Sequence, residues 1–334
     1  MRRVGRRARP DRGVKTLGIL AFLAGIVLAG FLVFRAGFAP VAHALAALGL
    51  TGLIVIIAAH LPIIALLGAA WWAIGRGAGR PRLRAFIWAR AIRDAAAEAL
   101  PFSQLGGYVI GGRALALAGA DAATASLSTF LDLTLEFTAK IPYVLLGLAV
   151  LEFLRPSTGT GIAILALLAF ASAAAVALRL RARGGTGRPV ERLLSGWPRL
   201  AASRQKLLST FSEMTARRTA LAASMGLHFL CWFVGAGETW LIFHFMHTPV
   251  SFAAALIVDS LVGAIRAVSF FVPGAVGVQE GGYVLLCGLF GLHPGTALAF
   301  SFARRARDIL IAAPTLLSWQ WREGHALLPC AFKS

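Results

Sequence analysis

Long apolar segments restrict this chain to a membrane environment more strongly than any other feature of its sequence. Residues 50–75 and 122–151 both exceed the ~20 residues that an α-helix needs to cross a hydrocarbon core of ~30 Å. With 58% hydrophobic and 14% charged residues, the chain has more apolar surface than a soluble domain buries. We therefore predict an all-α polytopic membrane protein with about six full spans, near 16–36, 50–75, 122–151, 161–179, 219–243 and 296–320.

Lysine and arginine in the connecting segments predict how these spans are oriented. Residues 1–15 carry seven basic residues, loop 76–84 carries four arginines, and segment 179–218 carries ten basic residues. The intervening connections 35–49, 152–160 and 244–250 carry almost none. By the positive-inside rule, we expect a multi-pass protein of the bacterial inner membrane whose N-terminus and basic loops are cytoplasmic. This asymmetry accounts for most of the net charge of +19, and we expect no nucleic-acid partner because few aromatic residues accompany the basic ones.

The sequence contains an internal repeat with a spacing of 172 to 175 residues. AIR at 91–93 recurs at 264–266, and QLGGYVI at 104–110 recurs as QEGGYVL at 279–285. An ordered series of such matches indicates two copies of one structural unit. We divide the chain into a basic N-terminus (1–15), a first span with an outer connection (16–49), repeat 1 (50–155), a connecting helix with a basic cytoplasmic loop (156–222), repeat 2 (223–322) and a C-terminal tail (323–334).

The charge rule predicts that the two copies face opposite ways. The helix at 50–75 should run inward and its counterpart near 223–248 outward. Each copy would then consist of a spanning helix, a broken re-entrant hairpin (84–119 or 250–292) and a second spanning helix. Inverted-topology repeats with broken helices are typical of secondary transporters, in which non-helical backbone lines a cavity at the midplane.

Proline and paired glycines predict where the hairpin helices break. VPGAVGVQEGGYVLL at 272–286 and PFSQLGGYVI at 101–110 are the two segments concerned. An alternative is that these glycines only permit close helix packing, for which Gly107–Gly111 and Gly277–Gly281 have the required spacing. The predicted hairpin breaks are Pro101, Gly106, Gly107, Pro273, Gly274, Gly277, Gly281 and Gly282.

Charged residues within apolar segments are the candidate binding residues, because a charge at membrane depth costs at least ~2.5–3.5 kcal/mol. Glu280 replaces Leu105 of the first copy, so the repeat itself does not require a carboxylate there. Arginine is suited to bidentate contact with a phosphate headgroup. The alternative is that these residues form structural ion pairs between the repeats, with Asp132 or Glu136 holding Arg304 or Arg307. The predicted substrate-binding residues are Arg93, Gln104, Arg113, Asp132, Glu136, Lys140, Arg266, Gln279, Glu280, Arg304, Arg305, Arg307 and Asp308.

Other polar residues give weaker indications. His244 and His247 near Glu238 lack the spacing of a metal site, and we expect no metal and no cofactor. We interpret His60, beside Pro62, as a hydrogen-bonded residue at a helix kink. No Ser/His/Asp or Cys/His arrangement indicates a catalytic site.

The segment FVPGAVGVQEGGYVLLCGLFGLHPGTALAFSFARRARDIL resembles the C-terminal signature of the flippase-like family, also called the lysylphosphatidylglycerol-synthase transmembrane region. AIRDAAAEALPFSQLGGYVIGGRALALAGADAATASLSTFLDLTLE resembles the first-half signature of that family. The residues VQEGGYVLLCGLFGL followed by RRARD are similar, more particularly, to its hopanoid-biosynthesis-associated members. The positions that the resemblance marks are Pro273, Gly274, Gly277, Glu280 and Arg305.

This resemblance implies an inner-membrane protein that translocates a polar lipid and takes part in hopanoid lipid traffic. Since the sequence ends at Ser334 with no soluble aminoacyl-transfer domain, we expect movement of lipid rather than its aminoacylation. The alternatives are a membrane-embedded enzyme that modifies a lipid headgroup and a scaffold that holds lipid-synthesis enzymes through loop 179–218. The expected partners are therefore membrane lipids, either hopanoid or anionic phospholipid.

Overall fold

The structure is a computed structural model that describes residues 12–77, 80–99, 103–156, 201–269 and 272–331. Within these ranges the chain forms ten α-helices and no β-strand. Three of the helices, α2, α5 and α7 as numbered here, are long and apolar enough to cross a membrane. The helices are α1 (Arg12–Ala36), α2 (Phe38–Gly75), α3 (Leu83–Ala99), α4 (Ser103–Leu117), α5 (Ala122–Leu154), α6 (Ala201–Ala216), α7 (Arg218–Phe245), α8 (Phe252–Val268), α9 (Val278–Gly288) and α10 (Pro294–Ala331).

The predicted spans correspond to helices wherever the structure describes them. The spans at 122–151 and 219–243 lie within α5 and α7, and the span at 16–36 lies within α1. The predicted span 296–320 lies within α10, whose four central charged residues exclude it from the three apolar helices. The predicted span 161–179 lies outside the described residues.

The predicted outer connection 35–49 is helical from Phe38 onward, which corrects the sequence interpretation. A break at Gly49, with φ of 59°, separates this short helix from the predicted span 50–75. Val41 and Leu48 are buried among residues of α7 and α10. Tertiary packing therefore stabilises a helix that hydropathy alone assigned to a connection.

The core consists of two main clusters along α2. Near the start of α2, the rings of Phe243 and Phe300 stack with centroids 4.4 Å apart, and Ile56 and Tyr283 pack around them. Near its end, Trp71 packs edge-on against Phe86 and donates a hydrogen bond of 3.0 Å to the Ser128 hydroxyl. The first cluster fixes α7 and α10 near the start of α2. The second cluster fixes α3 and α5 near the end of α2.

The two basic segments meet at one end of the molecule. Arg217, at the start of α7, donates through Nη1 to the carbonyl oxygen of Arg76 at 2.6 Å. Arg80 forms an ion pair of 2.8 Å with Glu213 of α6. Loop 76–84 and the end of segment 179–218 thus share the end that is called the basic end below.

Contacts along α10 define which end of the molecule each part of that helix occupies. Gly295, in its first turn, lies against Pro40, remote from the basic end. Farther along, Ser318 accepts a hydrogen bond of 3.0 Å from Trp88 of α3, and Glu323 pairs with Arg113 of α4 at 3.0 Å. Helix α10 therefore runs toward the basic end. Helix α5 begins at that end, where Asp121 pairs with Lys206 of α6 at 3.3 Å.

Helix order repeats along the chain. A long helix, two shorter helices and a second long helix occur as α2 to α5 and again as α7 to α10. The shorter helices have 17 and 15 residues in the first set and 17 and 11 in the second. The helix order is the one predicted from the sequence matches, while the inverted topology and the re-entrant hairpins stay predictions.

Candidate functional site

A buried charge cluster joins α3 and α5 in the first half of the chain. Arg90 forms a bidentate pair with Glu136, with N–O distances of 2.9 and 3.0 Å. Arg93 donates to Asp132 at 2.6 Å and to Glu136 at 2.5 Å. Arg90 and Arg93 are one helical turn apart on α3, and Asp132 and Glu136 one turn apart on α5. The side chains therefore form two facing rows, and each arginine has a carboxylate partner.

His228 extends this cluster to α7. Its Nε2 lies 3.0 Å from Oδ1 of Asp132, and both side chains are fully buried. Asp132 thus has an arginine on one oxygen and an imidazole on the other. The second ring nitrogen of His228 is buried without a hydrogen-bond partner among the described residues.

The second half has a corresponding cluster around Arg304 of α10. Arg304 Nη1 donates to Asp259 of α8 at 2.9 Å and lies 3.2 Å from the Tyr283 hydroxyl. The other oxygen of Asp259 accepts a hydrogen bond of 3.0 Å from Tyr143 of α5. The Nε of Arg304 is buried and has no partner in the part of the chain that the structure describes. Asp259 is therefore the residue that links the two halves here.

The predicted pairing between repeats is wrong in its details. Asp132 and Glu136 bind arginines of α3, whereas Arg304 binds Asp259 and Arg307 forms ion pairs with Glu238 and Asp308. The reason is that α5 packs on α7 and α8 rather than on α10. Arginines of α3 therefore take the place that the prediction gave to arginines of α10, and Asp259 of α8 takes the place that it gave to the carboxylates of α5.

Glu238 also accepts from His60. The His60 Nδ1 lies 3.1 Å from Glu238 Oε2, which joins α2 to α7 inside the bundle. The interpretation of His60 as a hydrogen-bonded residue is confirmed, but the kink expected beside Pro62 is not observed, because the non-helical residue of α2 is Gly49.

The break before α9 brings together the positions that the family resemblance marked. Pro273–Ala275 form a single 3₁₀ turn, and Gly274 and Gly277 have φ of 60° and 79°. Positive φ favours glycine, so the chain can reverse here between α8 and α9. Glu280 accepts from the backbone N–H of Gly277 at 2.7 Å and from Arg305 Nε at 2.8 Å. Arg305 in turn donates to the Gly274 carbonyl at 3.2 Å.

Ser301 and Gln279 complete the surroundings of Glu280. Ser301 donates to Glu280 Oε1 at 2.9 Å and accepts from Gln279 Nε2 at 3.2 Å. The Glu280 side chain is 1% exposed, whereas Arg305 is 23% exposed. The carboxylate is thus enclosed, and the guanidinium reaches outward from it.

Lys140 and Arg266 lie between the two clusters. The Lys140 ammonium lies over the Trp232 ring, 4.3 Å from its centroid. A Cβ added at Gly263 of α8 would lie 3.4 Å from the Lys140 Nζ, so the ammonium also lies beside α8. Arg266, near the end of α8, pairs at 2.5 Å with Glu98, near the end of α3. This pair connects the far ends of the first helices of the two predicted hairpins.

The remaining predicted site residues lie elsewhere. Arg113 pairs with Glu323 near the basic end, apart from the clusters, and its side chain is half exposed. Gly106 and Gly107 lie inside α4, and Gly281 and Gly282 lie inside α9, so the backbone breaks do not occur at these glycines. Gly107 instead permits close packing, because a Cβ there would lie 2.7 Å from the Arg93 carbonyl oxygen. Pro101 and the side chain of Gln104 are outside the described part of the structure.

Several residues of the clusters were not predicted: Arg90, Glu98, His228, Glu238 and Asp259. Asp259 lies in the apolar run LIVDSLVGAI and Glu238 in an apolar helix, so the rule that selected Asp132 also applies to them. Arg90 precedes the repeated AIR motif and has no arginine counterpart in the second copy. No sequence signal distinguishes it from an interfacial basic residue.

The apolar helices and the enclosed charge clusters define this chain as a helical membrane protein. The sequence model of the lysylphosphatidylglycerol synthase TM region matches residues 18–314. The chain belongs to this family, which is named after the membrane region of a lipid synthase. Comparison with curated proteins and with solved structures gave no match.

Proposed function

We propose that this protein is a flippase-like translocator of a lipid with a polar or anionic headgroup. In this proposal the headgroup crosses the membrane through a polar region between two re-entrant hairpins of an inverted-topology repeat, while the acyl or isoprenoid chains remain in the bilayer. The protein lies in the bacterial inner membrane with its basic end in the cytoplasm. Membership of a lipid-related membrane family supports a lipid as the cargo.

The contacts at the helix ends support the inverted arrangement. Helix α5 begins at the basic end, whereas its counterpart α10 begins beside Pro40 and runs toward the basic end. The hairpin helices α3, α4, α8 and α9 have lengths of ~26, ~23, ~26 and ~17 Å at 1.5 Å per residue. Each is shorter than a hydrocarbon core of ~30 Å, which favours hairpins that enter and leave on one side.

The single observation that carries the proposal is Arg305. It is the twelfth residue of α10, ~16 Å from the start of the helix at 1.5 Å per residue and thus near the middle of a ~30 Å core. Glu280 and the Gly274 carbonyl fix its Nε and Nη2, and its Nη1 has no hydrogen-bond acceptor among the described residues. A guanidinium that is oriented and partly accessible can bind a phosphate or carboxylate headgroup through its remaining donors.

The enclosed carboxylates make such a site possible. An isolated arginine at this depth would be costly, but ion pairs with Glu280, Asp259 and Glu238 reduce the cost for Arg305, Arg304 and Arg307. These carboxylates already balance the charges of the three arginines. A bound headgroup would therefore replace only the contacts that Arg305 makes with lipid or water. We assign Arg93, Asp132 and Glu136 to holding α3 on α5, because their polar atoms face one another.

The cargo that the sequence resemblance implies is a hopanoid or related isoprenoid lipid. We include this in the proposal because VQEGGYVLLCGLFGL followed by RRARD resembles the pattern of the hopanoid-associated members. Translocation would be facilitated or coupled to an ion gradient.

The test measures leaflet-resolved lipid accessibility in proteoliposomes that contain a tagged hopanoid or a tagged anionic phospholipid. Wild type, Arg305→Gln and Glu280→Gln are compared at equal protein density, with Arg113→Gln as the matched control. We expect wild type and Arg113→Gln to equilibrate one of the lipids across the bilayer and both Arg305→Gln and Glu280→Gln to slow this by ~10-fold or more, since a charge-assisted hydrogen bond contributes ~1.5–3 kcal/mol.

Two results would overturn the proposal. If the variants at Arg305 and Glu280 move lipid as fast as wild type, the break before α9 is not the translocation site. If wild type moves neither lipid but membranes that contain it accumulate a modified lipid, the protein is an enzyme and these residues belong to its reaction site.

A further inference from the structure

A second polar feature lies at the basic end, apart from the residues of the proposed translocation site. A cavity of about 450 Å³ opens between the end of α2, the loop that follows it and the start of α7. Its size is within the range of ~300–1,000 Å³ that is usual for small-molecule sites. The lining residues are Trp72, Arg76, Gly77, Arg80, Pro81, Arg82, Leu83 and Arg217.

Arginines dominate the lining of this cavity. Arg80 and Arg217 both donate to the carbonyl oxygen of Arg76, at 3.4 and 2.6 Å, so two side chains from different segments converge on one point. The guanidinium of Arg76 lies over the Trp72 ring, 5.2 Å from its centroid. The backbone and an aromatic ring therefore hold three of the four guanidinium groups in place.

Among the described residues, one carboxylate forms an ion pair with an arginine of the cavity lining. Glu213 binds Arg80 at 2.8 Å, and its side chain is 52% exposed. For Arg76, Arg82 and Arg217, the described part of the chain provides no carboxylate within 4.0 Å. The cavity therefore has an excess of positive charge that a solute can neutralise.

We propose that this cavity binds a phosphate group, either the headgroup phosphate of a lipid or a soluble phosphate ester. Arginine matches the geometry of a phosphate by donating two hydrogen bonds in one plane. The cavity lies where the apolar helices α2 and α7 meet the basic loops, which is the level of the headgroup layer if these helices span the bilayer. This site is independent of the proposed translocation at Arg305, and either proposal can fail alone.

The experiment measures equilibrium binding to the purified full-length protein in an uncharged detergent by isothermal titration calorimetry. The probes are dioctanoyl phosphatidylglycerol, glycerol 3-phosphate and inorganic phosphate. The variants are Arg76→Gln and Arg82→Gln, which remove a charge from the lining without removing an ion pair between described residues. Arg84→Gln is the matched control because Arg84 is exposed in the same basic segment and does not line the cavity.

We expect saturable binding of at least one probe, weakened ~10-fold by Arg76→Gln or Arg82→Gln and changed less than ~2-fold by Arg84→Gln. Binding of the lipid but of neither soluble probe identifies a lipid headgroup site, whereas comparable binding of glycerol 3-phosphate identifies a soluble ester. The absence of saturable binding with all three probes overturns the proposal. An equal loss with Arg84→Gln also overturns it, because binding would then reflect diffuse charge rather than the cavity. Thermal unfolding of each variant confirms that it is folded.

Discussion

Arg305 and Glu280 are joined by a hydrogen bond of 2.8 Å that connects the middle of α10 to the helix break before α9. Glu280 uses its second oxygen to bind the Gly277 N–H at 2.7 Å, where the positive φ of Gly277 begins α9. The one carboxylate therefore stabilises the start of α9 and orients Arg305 of α10. Substitution of Glu280 changes the acceptor of both the Gly277 N–H and Arg305, whereas substitution of Arg305 leaves the contact between Glu280 and the Gly277 N–H in place. The stabilisation of the helix start and the orientation of the arginine can therefore be measured separately.

Replacing Glu280 by glutamine should destabilise the protein by about 2–4 kcal/mol. Glutamine keeps one acceptor oxygen but directs an NH₂ donor at either Arg305 or the Gly277 N–H, and each of these is itself a donor. Removal of one member of an enclosed ion pair usually costs about 3–5 kcal/mol, and the partial exposure of Arg305 reduces this. The measurement is reversible unfolding in detergent micelles.

The control for this substitution is Glu323→Gln. Glu323 pairs with the half-exposed Arg113 at 3.0 Å, and exposed ion pairs contribute about 0–1 kcal/mol. Equal losses for Glu280→Gln and Glu323→Gln would contradict the structural role assigned to Glu280.

The glycines of α4 should differ sharply in their tolerance of alanine. A Cβ on Gly111 would lie 2.6 Å from the Cβ of Arg93, whereas a Cβ on Gly106 meets no atom within 4 Å. We therefore expect Gly111→Ala to destabilise by about 1–3 kcal/mol through overpacking. Gly106→Ala should be neutral or stabilise by up to about 1 kcal/mol, because alanine is the better helix former. Thermal unfolding of the two variants tests this, and equal melting temperatures would contradict the close approach of α4 to α3.

The N-cap of α5 should make stability depend on pH in the acidic range. Burial raises the pKa of the Asp121 carboxyl, but hydrogen bonds from Thr124 and the charge of Lys206 lower it more, so the pKa lies below its ordinary value. A depressed folded-state pKa stabilises the protein above the unfolded-state value of ~3.9, and this contribution is lost as pH falls through the folded-state pKa.

The comparison is between wild type and Asp121→Asn, which retains a capping oxygen without the charge. The stability advantage of wild type should be present at pH 6 and should diminish as the pH is lowered below about 4. Ser251→Ala, which removes the N-cap of α8, should cost about 1 kcal/mol at both pH values, because the hydroxyl does not titrate. An advantage of wild type that is unchanged below pH 4 would exclude the carboxylate as its source.

Hydropathy and the internal matches predicted the elements of this fold well because both report on long, regular segments. The helices α5 and α7 begin and end within a few residues of the predicted spans, and α3, α4, α8 and α9 occupy the two segments predicted to be hairpins. The helix before Gly49 was missed because its stability depends on contacts of Val41 and Leu48 with distant helices.

The candidate site was predicted less completely, since ion pairing depends on which helices pack together. The sequence predicted Asp132, Glu136 and Arg304 at membrane depth, but α5 packs on α7 and α8 rather than on α10, and Arg304 pairs with Asp259 of α8. Glu280 and Arg305 are different, because the resemblance marked both residues and the structure places them in contact.

The pair formed by Glu98 and Arg266 allows a final prediction about how the two hairpins act together. The N–O distance is 2.5 Å, and each side chain is about one quarter exposed, so the pair is enclosed only in part. It joins the end of α3 to the end of α8, which would be the tips of the two hairpins in the proposed translocator. Any opening between the hairpins would then separate these two charges, and reversing one of them should place like charges in contact.

We expect Glu98→Arg alone and Arg266→Glu alone to reduce lipid translocation in proteoliposomes by about 10-fold or more, which corresponds to a coupling of at least about 1.4 kcal/mol. The double variant, with both charges reversed, should recover to within about 3-fold of wild type, since attraction between the two positions is restored. Reversal of Glu323 and Arg113 should have little effect either singly or together, because that pair lies near the basic end.

If the single reversals at Glu98 and Arg266 translocate lipid normally while their melting temperatures fall, the pair stabilises the fold without taking part in opening. Failure of the double variant to recover, with its melting temperature restored, would instead show that the identity of each charge matters, as it would if Arg266 itself contacts the headgroup.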